Sequence, residues 1–152
     1  MRIVAVIDIG KTNVKVALVD LGLGAEVAVE TQANAVIPGP PWPHFDVAGQ
    51  WTFITAALRR LGRAARIEGI VVTTHGACAA LLDAAGELAA PVLDYEHPGP
   101  EALRAAYDAI RPGFDETGSP ALPMGLNLGA QLHWMLEGMA GLRGRVAQVV
   151  TW

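Results

Sequence analysis

The residues best suited to chemistry stand near the start of the chain. Asp8-Ile9-Gly10-Lys11-Thr12-Asn13-Val14-Lys15 sets an acid before a glycine-containing polar turn that runs back into apolar sequence. Gly10 lets the backbone come close to an anion and Thr12 and Asn13 offer hydrogen bonds. Lys11 and Lys15, the only lysines, flank the turn. Phosphate suits this set, with Asp8 able to hold a hydrated Mg²⁺ against it; the plain alternative is a hairpin turn with a chance polar strand end. The GxxxxGK[ST] spacing is absent, so a Walker loop is excluded. His75, after Thr73-Thr74 and before Gly76, can exchange a hydrogen bond with a sugar hydroxyl at a sheet edge, or can simply close a strand end. Asp94, Glu96 and His97 lie together; carboxylates bind hydroxyl pairs, and two with a histidine also suggest a metal. No further His or Cys at ligand spacing supports the metal, so a sugar is preferred. Gln131 and His133, two apart on a predicted helix, point to different faces, and Gln131 is the better site candidate. Trp42, Trp51 and Trp134 have rings on which a sugar could stack, although Trp51 falls on an apolar helix stripe where core packing is the default. Cys78, amid alanines, reads as a small buried apolar residue.

The elements that must position these residues follow from periodicity. Ile3 to Ile9 is β-branched and apolar on both faces, as a strand between two layers would be. The short link to a second run, Val14 to Val19, predicts an antiparallel hairpin, and Glu26 to Thr31 continues the meander as a more exposed strand. Pro38 to Pro43 must be a loop. Asp46 caps a helix whose stripe is Val47, Trp51, Ile54, Leu58 and Leu61, with Arg59, Arg60 and Arg63 near its end. Gly69 to Thr74 reads as a buried strand; Ala79 to Leu82, a turn at Asp83 to Glu87 and Pro91 to Leu93 read as a hairpin. Gly99-Pro100-Glu101 starts a helix with the stripe Leu103, Ala106, Tyr107 and Ile110. After a Pro/Gly-rich loop over 112–125, Asn127 caps a helix with Leu128, Leu132, Met135 and Met139 inward. Val146 to Trp152 looks like an element just beginning, and the aromatic ending reads as truncation.

Composition sets the outer bounds. Of 152 residues 52% are AVILMFWYC and 17% charged, enough for a core in one domain or a piece of one. A net charge of −4 offers no basic face for nucleic acid or an anionic membrane. A lone cysteine excludes an internal disulfide framework and suggests a reduced, cytoplasmic setting. The apolar start is broken by Asp8 and Gly10 and reads neither as a signal peptide nor as a span.

Asp8-x-Gly10-x-Thr12-Asn13 followed by a hairpin strand resembles the first phosphate motif of the sugar kinase, Hsp70 and actin superfold, whose members bind ATP between two related domains. Thr74-His75-Gly76-Ala77, then Leu81-Leu82-Asp83, Gly86-Glu87 and Pro91-Val92-Leu93-Asp94-Tyr95-Glu96-His97, is similar to the FGGY carbohydrate kinases (xylulokinase, rhamnulokinase and fuculokinase), with the His-Gly element nearest to xylulokinases. Thr117-Gly118-Ser119-Pro120 with Gly125-Leu126-Asn127-Leu128-Gly129-Ala130-Gln131-Leu132-x-Trp134 also resembles an FGGY segment. Together these cover essentially the whole chain in the right order.

The resemblance implies an α/β, actin-like ATPase (ribonuclease H-like) domain, with an antiparallel three-strand start and helices on both sheet faces, truncated. It implies phosphorylation of a ketose or deoxyketose hydroxyl by Mg-ATP. Asp8, Gly10, Lys11, Thr12, Asn13 and Lys15 would bind phosphate and Mg-ATP, Asp8 holding the metal through water. His75, Gly76, Asp94, Glu96, His97 and Gln131 would bind the sugar. The family's aspartate base lies downstream of this segment. The chain therefore reads as the amino-terminal part of the first domain, without the second, ATP-binding domain, and inactive alone. Sugar and ATP are its expected partners, nucleic acid and membrane are not, and a homo-oligomer stays open. So do two other classes: a noncatalytic sugar-binding or interaction fragment, and a non-sugar actin- or Hsp70-like ATPase, which would need Asp8 to Lys15 but not the His75-Gly76 and Asp94 to His97 elements.

Overall fold

The computed structural model describes residues 2–152. In chain order the strands are β1 (Ile3–Ile9), β2 (Asn13–Asp20), β3 (Ala25–Ala33), β4 (Val36–Ile37), β5 (His44–Phe45), β6 (Ile67–Thr74), β7 (Ala79–Leu82) and β8 (Gln148–Thr151). The α-helices are α1 (Val47–Ala64), α2 (Arg104–Asp108), α3 (Phe114–Thr117), α4 (Leu128–Gly138) and α5 (Leu142–Arg145). They fall into two compact units: one runs to Ala35 and resumes over Asp46–His75, the other comprises Val36–Phe45 and Gly76–Trp152. Among the described residues no helix is long and apolar enough to cross a membrane.

The first unit is the predicted meander with a parallel strand added. β1 pairs antiparallel with β2, from Ile3 opposite Asp20 to Ile9 opposite Val14, and β3 follows on β2. β6 lies parallel on the other side of β1, giving the order β3-β2-β1-β6. Alternation puts Ile3, Ala5, Ile7, Val14, Val16 and Leu18 on one face, buried with Ile54, Ala57 and Leu61 of α1. Each valine, leucine or isoleucine among them is worth about 1.5 to 3 kcal/mol when fully withdrawn from water. Asp46 caps α1 as expected, its carboxylate accepting from Gly49 N at 2.9 Å.

Several expectations need correction here. The buried stripe of α1 is Gln50, Ile54, Ala57 and Leu61, and Trp51 is 66% exposed. A four-three-four spacing from Gln50 serves the helix as well as one from Val47, and the polar type of Gln50 hid it. Gly69 to Thr74 is not a buried strand: β6 is an edge, with Ile70, Val71 and Val72 all exposed. β3 is the more exposed strand that was expected, with Val27 and Val29 open to solvent and Ala28 packed on the α1 core. Within this unit α1 packs on one face of the sheet.

The second unit is built from short pieces. Leu81, Ala90, Leu93, Met135, Leu142 and Trp42 form its core. The turn at Asp83 to Glu87 forms, with Asp83 N donating to Glu87 O at 2.9 Å. The expected hairpin partner is replaced: β7 pairs with β8 instead, Leu82 bridges Leu88, and Leu93 bridges His44. The helix expected from Gly99 is a 3₁₀ turn, Gly99–Leu103, followed by the five residues of α2, and Ile110 lies 69% exposed beyond it. Asn127 caps α4 as predicted, accepting from Ala130 N at 3.0 Å. The inward face of α4 is Ala130, Gln131 and Met135, with Leu132 and Met139 partly buried.

Candidate functional site

In the first unit the candidate residues gather where β1 and β6 end. Because these strands are parallel and Ile9 stands opposite Thr74, the turn after β1 and His75 after β6 share the carboxyl edge of the sheet, the side where α/β proteins place ligands. Thr74 Oγ1 donates to Ile9 O at 3.0 Å and ties the two ends. Asp8 faces Lys15 across β2 and Thr73 across β6. The turn closes through Gly10 N to Asn13 O, 2.8 Å, and Asn13 Nδ2 donates to Thr12 Oγ1 at 3.2 Å. Thr12 and Asn13 are exposed, Gly10 and Lys11 half-buried.

Lys15 is placed differently from expectation. Its ammonium donates to Glu26 Oε1 of β3 at 2.8 Å, and that bond, with the charge of Glu26, holds its pKa above the usual lysine value. An ammonium engaged in this way has less to offer a phosphate. Sequence reasoning missed Asn34 and Gln50. Asn34 N donates to Thr12 O and Asn34 Nδ2 to Gly10 O, both at 2.8 Å, while Gln50 Nε2 donates to Asn34 Oδ1 at 2.6 Å. The polarity of Gln50 within an apolar stripe was the available signal.

In the second unit Asp94, Glu96 and His97 form one tight turn. Asp94 Oδ1 accepts from Glu96 N at 3.1 Å and Asp94 O from His97 N at 2.9 Å. Asp94 is 8% exposed, Glu96 is open to solvent, and the His97 ring lies 5.5 Å from that of Trp134. Gly125 presses on this turn: its N–H donates to Tyr95 O at 2.9 Å, and a Cβ there would stand 2.8 Å from Tyr95 Cα. Gln131, expected to meet substrate, is fully buried. Its amide donates to Ala77 O at 2.6 Å and to Gly125 O, so it braces backbone. Asp94 does not end a strand of the four-stranded sheet, as a shared edge with His75 would require; it follows the Leu93 bridge and belongs to the second unit. Gly76 is exposed at the head of that unit. Trp42 and Trp134 meet with ring centroids 5.5 Å apart and line a cavity of about 400 Å³ with Pro41, Gly138, Met139 and Ala140. Trp42 and Trp134 are two of the three rings considered for sugar stacking, and none of the residues expected to hydrogen-bond phosphate or sugar lines this cavity.

Sheet order, hairpin start and edge site define the class: the chain has the actin-like ATPase fold of the amino-terminal domain of carbohydrate kinases. It is similar over nearly its whole length to carbohydrate kinases. A carbohydrate kinase from Novosphingobium aromaticivorans matches 97% of the chain with a TM-score of 0.86 and 35% identity. A xylulose kinase from Rhodospirillum rubrum matches 97% at 0.79 and 25% identity. A Plasmodium falciparum glycerol kinase solved with ADP shares the fold at 0.75 and 14% identity over 95% of the chain. The chain spans 31%, 32% and 30% of these three proteins. No family model and no curated protein matches the sequence.

Proposed function

We propose that this chain is the amino-terminal portion of a cytoplasmic, ATP-dependent kinase that phosphorylates a hydroxyl of a ketose or deoxyketose. The observation that supports it most is the 35% identity to a carbohydrate kinase across 97% of the chain. When bound, Mg-ATP supplies the phosphoryl group and the cation that neutralises its charge. The donor set of the first unit fits that anion: Gly10, Lys11, Thr12 and Asn13 would hold the phosphate, and Asp8 would hold the hydrated cation. Lys15 has the lesser part because of Glu26. His75, Gly76, Asp94, Glu96 and His97 are the sugar ligands in this reading, carboxylates accepting from hydroxyls and histidine giving or taking one proton. Gln131 acts by holding Gly125 against the turn from Asp94 to His97. The general base lies outside this chain.

In the intact kinase, ADP release should depend on a ketose, and the 152-residue chain alone should show none. A panel of ketoses, deoxyketoses and glycerol giving no dependence would overturn the reading. Asp8→Asn should lower kcat far more than sugar affinity. His75→Ala and Asp94→Ala should weaken sugar binding by roughly five- to a hundredfold, with little change for ATP. Unchanged sugar titrations of both folded variants would remove the sugar-site assignment and leave the kinase class standing.

A further inference from the structure

We infer that Asn34 and Gln50 are positioning residues for the phosphate turn, an inference that rests on the phosphate reading above. A loop that takes an anion must keep its carbonyl oxygens from facing it, because each carries partial negative charge. Among residues 10 to 13, the carbonyl oxygens of Gly10, Thr12 and Asn13 are occupied from within the unit. Asn13 O takes the Gly10 N–H, Thr12 O takes the Asn34 N–H, and Gly10 O takes the Asn34 side-chain amide, each at 2.8 Å.

Asn34 thus grips the turn at two points, one through backbone and one through side chain. The side-chain grip has a direction. An amide turned end for end would set Oδ1 against Gly10 O, and what prevents this is Gln50, whose Nε2 donates to Asn34 Oδ1 at 2.6 Å. Gln50 is 4% exposed on the buried stripe of α1 and donates its own N–H to Asp46 O at 2.9 Å, so it is anchored to the helix start. A buried glutamine costs desolvation that an apolar residue would avoid, and orientation of Asn34 is its return. Helix, amide and turn form one relay from the core of the unit to the turn.

Gln50→Glu tests the relay with little change of volume: the introduced carboxylate accepts where Gln50 donated, which turns the Asn34 amide around. Asn34→Ala removes only the side-chain grip at a half-buried position and decides alone if the first variant does not fold. Inorganic tripolyphosphate with Mg²⁺ is titrated into the parent and both variants, with the amide resonances of Gly10 to Asn13 as the readout. Hydrogen exchange is followed at Gly10, Ile54 and Ala57. The expected result is binding by the parent at Gly10 to Asn13, weakened about tenfold in each variant, with faster exchange at Gly10 and parental protection at Ile54 and Ala57. A purely structural role would loosen Ile54 and Ala57 and leave the affinity of the folded protein unchanged; that outcome overturns the inference. Equal binding by parent and variants also overturns it while sparing the phosphate reading. No perturbation of Gly10 to Asn13 in the parent removes the phosphate reading itself, and this inference with it.

Discussion

The two units solve the same problem, a polar backbone that must be held in place, by different means. In the first, seven register pairs between β1 and β2 and seven between β1 and β6 satisfy most backbone groups, and side chains are needed only where the ladder stops. There Asn34 and Gln50 take over at one exposed turn. In the second, the longest strands have four residues, so loop carbonyls have no ladder to join. Asn127 and Gln131 of the α4 start supply the missing partners from the core: Asn127 donates to Ser119 Oγ and Pro120 O, and Gln131 donates to Ala77 O and Gly125 O. Both units therefore use an asparagine with a glutamine. In the first the pair tunes a turn on a frame that exists without it, whereas in the second the pair is part of the frame.

The sharpest way to break that contrast is Gln131→Leu. It leaves a buried and a partly buried carbonyl unpaired, and the expected loss is about 2 to 4 kcal/mol in denaturant unfolding, confined by amide exchange to the second unit. A loss below about 1 kcal/mol would show that loop packing, and not the amide, holds Ala77 and Gly125.

The two helix caps sharpen it further. Asn127→Ala removes a cap and two loop bonds and should cost about 1 to 2.5 kcal/mol; Asp46→Ala removes a cap alone and should cost about 1 kcal/mol. Equal losses in thermal unfolding would mean that the ties to Ser119 and Pro120 add nothing.

The smallest effect is at the surface of the first unit. Arg60 forms a close ion pair with Glu30 of β3, which holds the Glu30 carboxyl below its usual range and the guanidinium above its own. A carboxyl whose pKa is lowered by folding adds stability above its unfolded value and loses it as pH falls through the folded one. Arg60→Ala should therefore lower Tm slightly at neutral pH. The gap to the parent should close as pH drops below 4.5, the ordinary glutamate value. High salt should narrow it at any pH. A gap that persists in acid would assign the effect to the arginine stem on β3 rather than to charge.

Local sequence determined a good deal of this protein. The meander, the turn at Gly10 and the caps at Asp46 and Asn127 were legible because each rests on alternation, on turn chemistry or on a side chain bonding within its own neighbourhood. Tertiary structure alone decided which apolar residues are covered. Ile70, Val71 and Val72 read as a buried strand yet lie exposed, since burial depends on neighbours that composition does not name. Trp51 and Gln50 exchange the roles their types suggest, because the rotation of the helix about its own axis is fixed by packing and not by the hydropathy of single residues. β7 finds β8 about seventy residues on, and Gln131 becomes a brace because Ala77 and Gly125 converge on it. Such contacts join residues far apart in sequence, and no local pattern records which distant carbonyl will lack a partner.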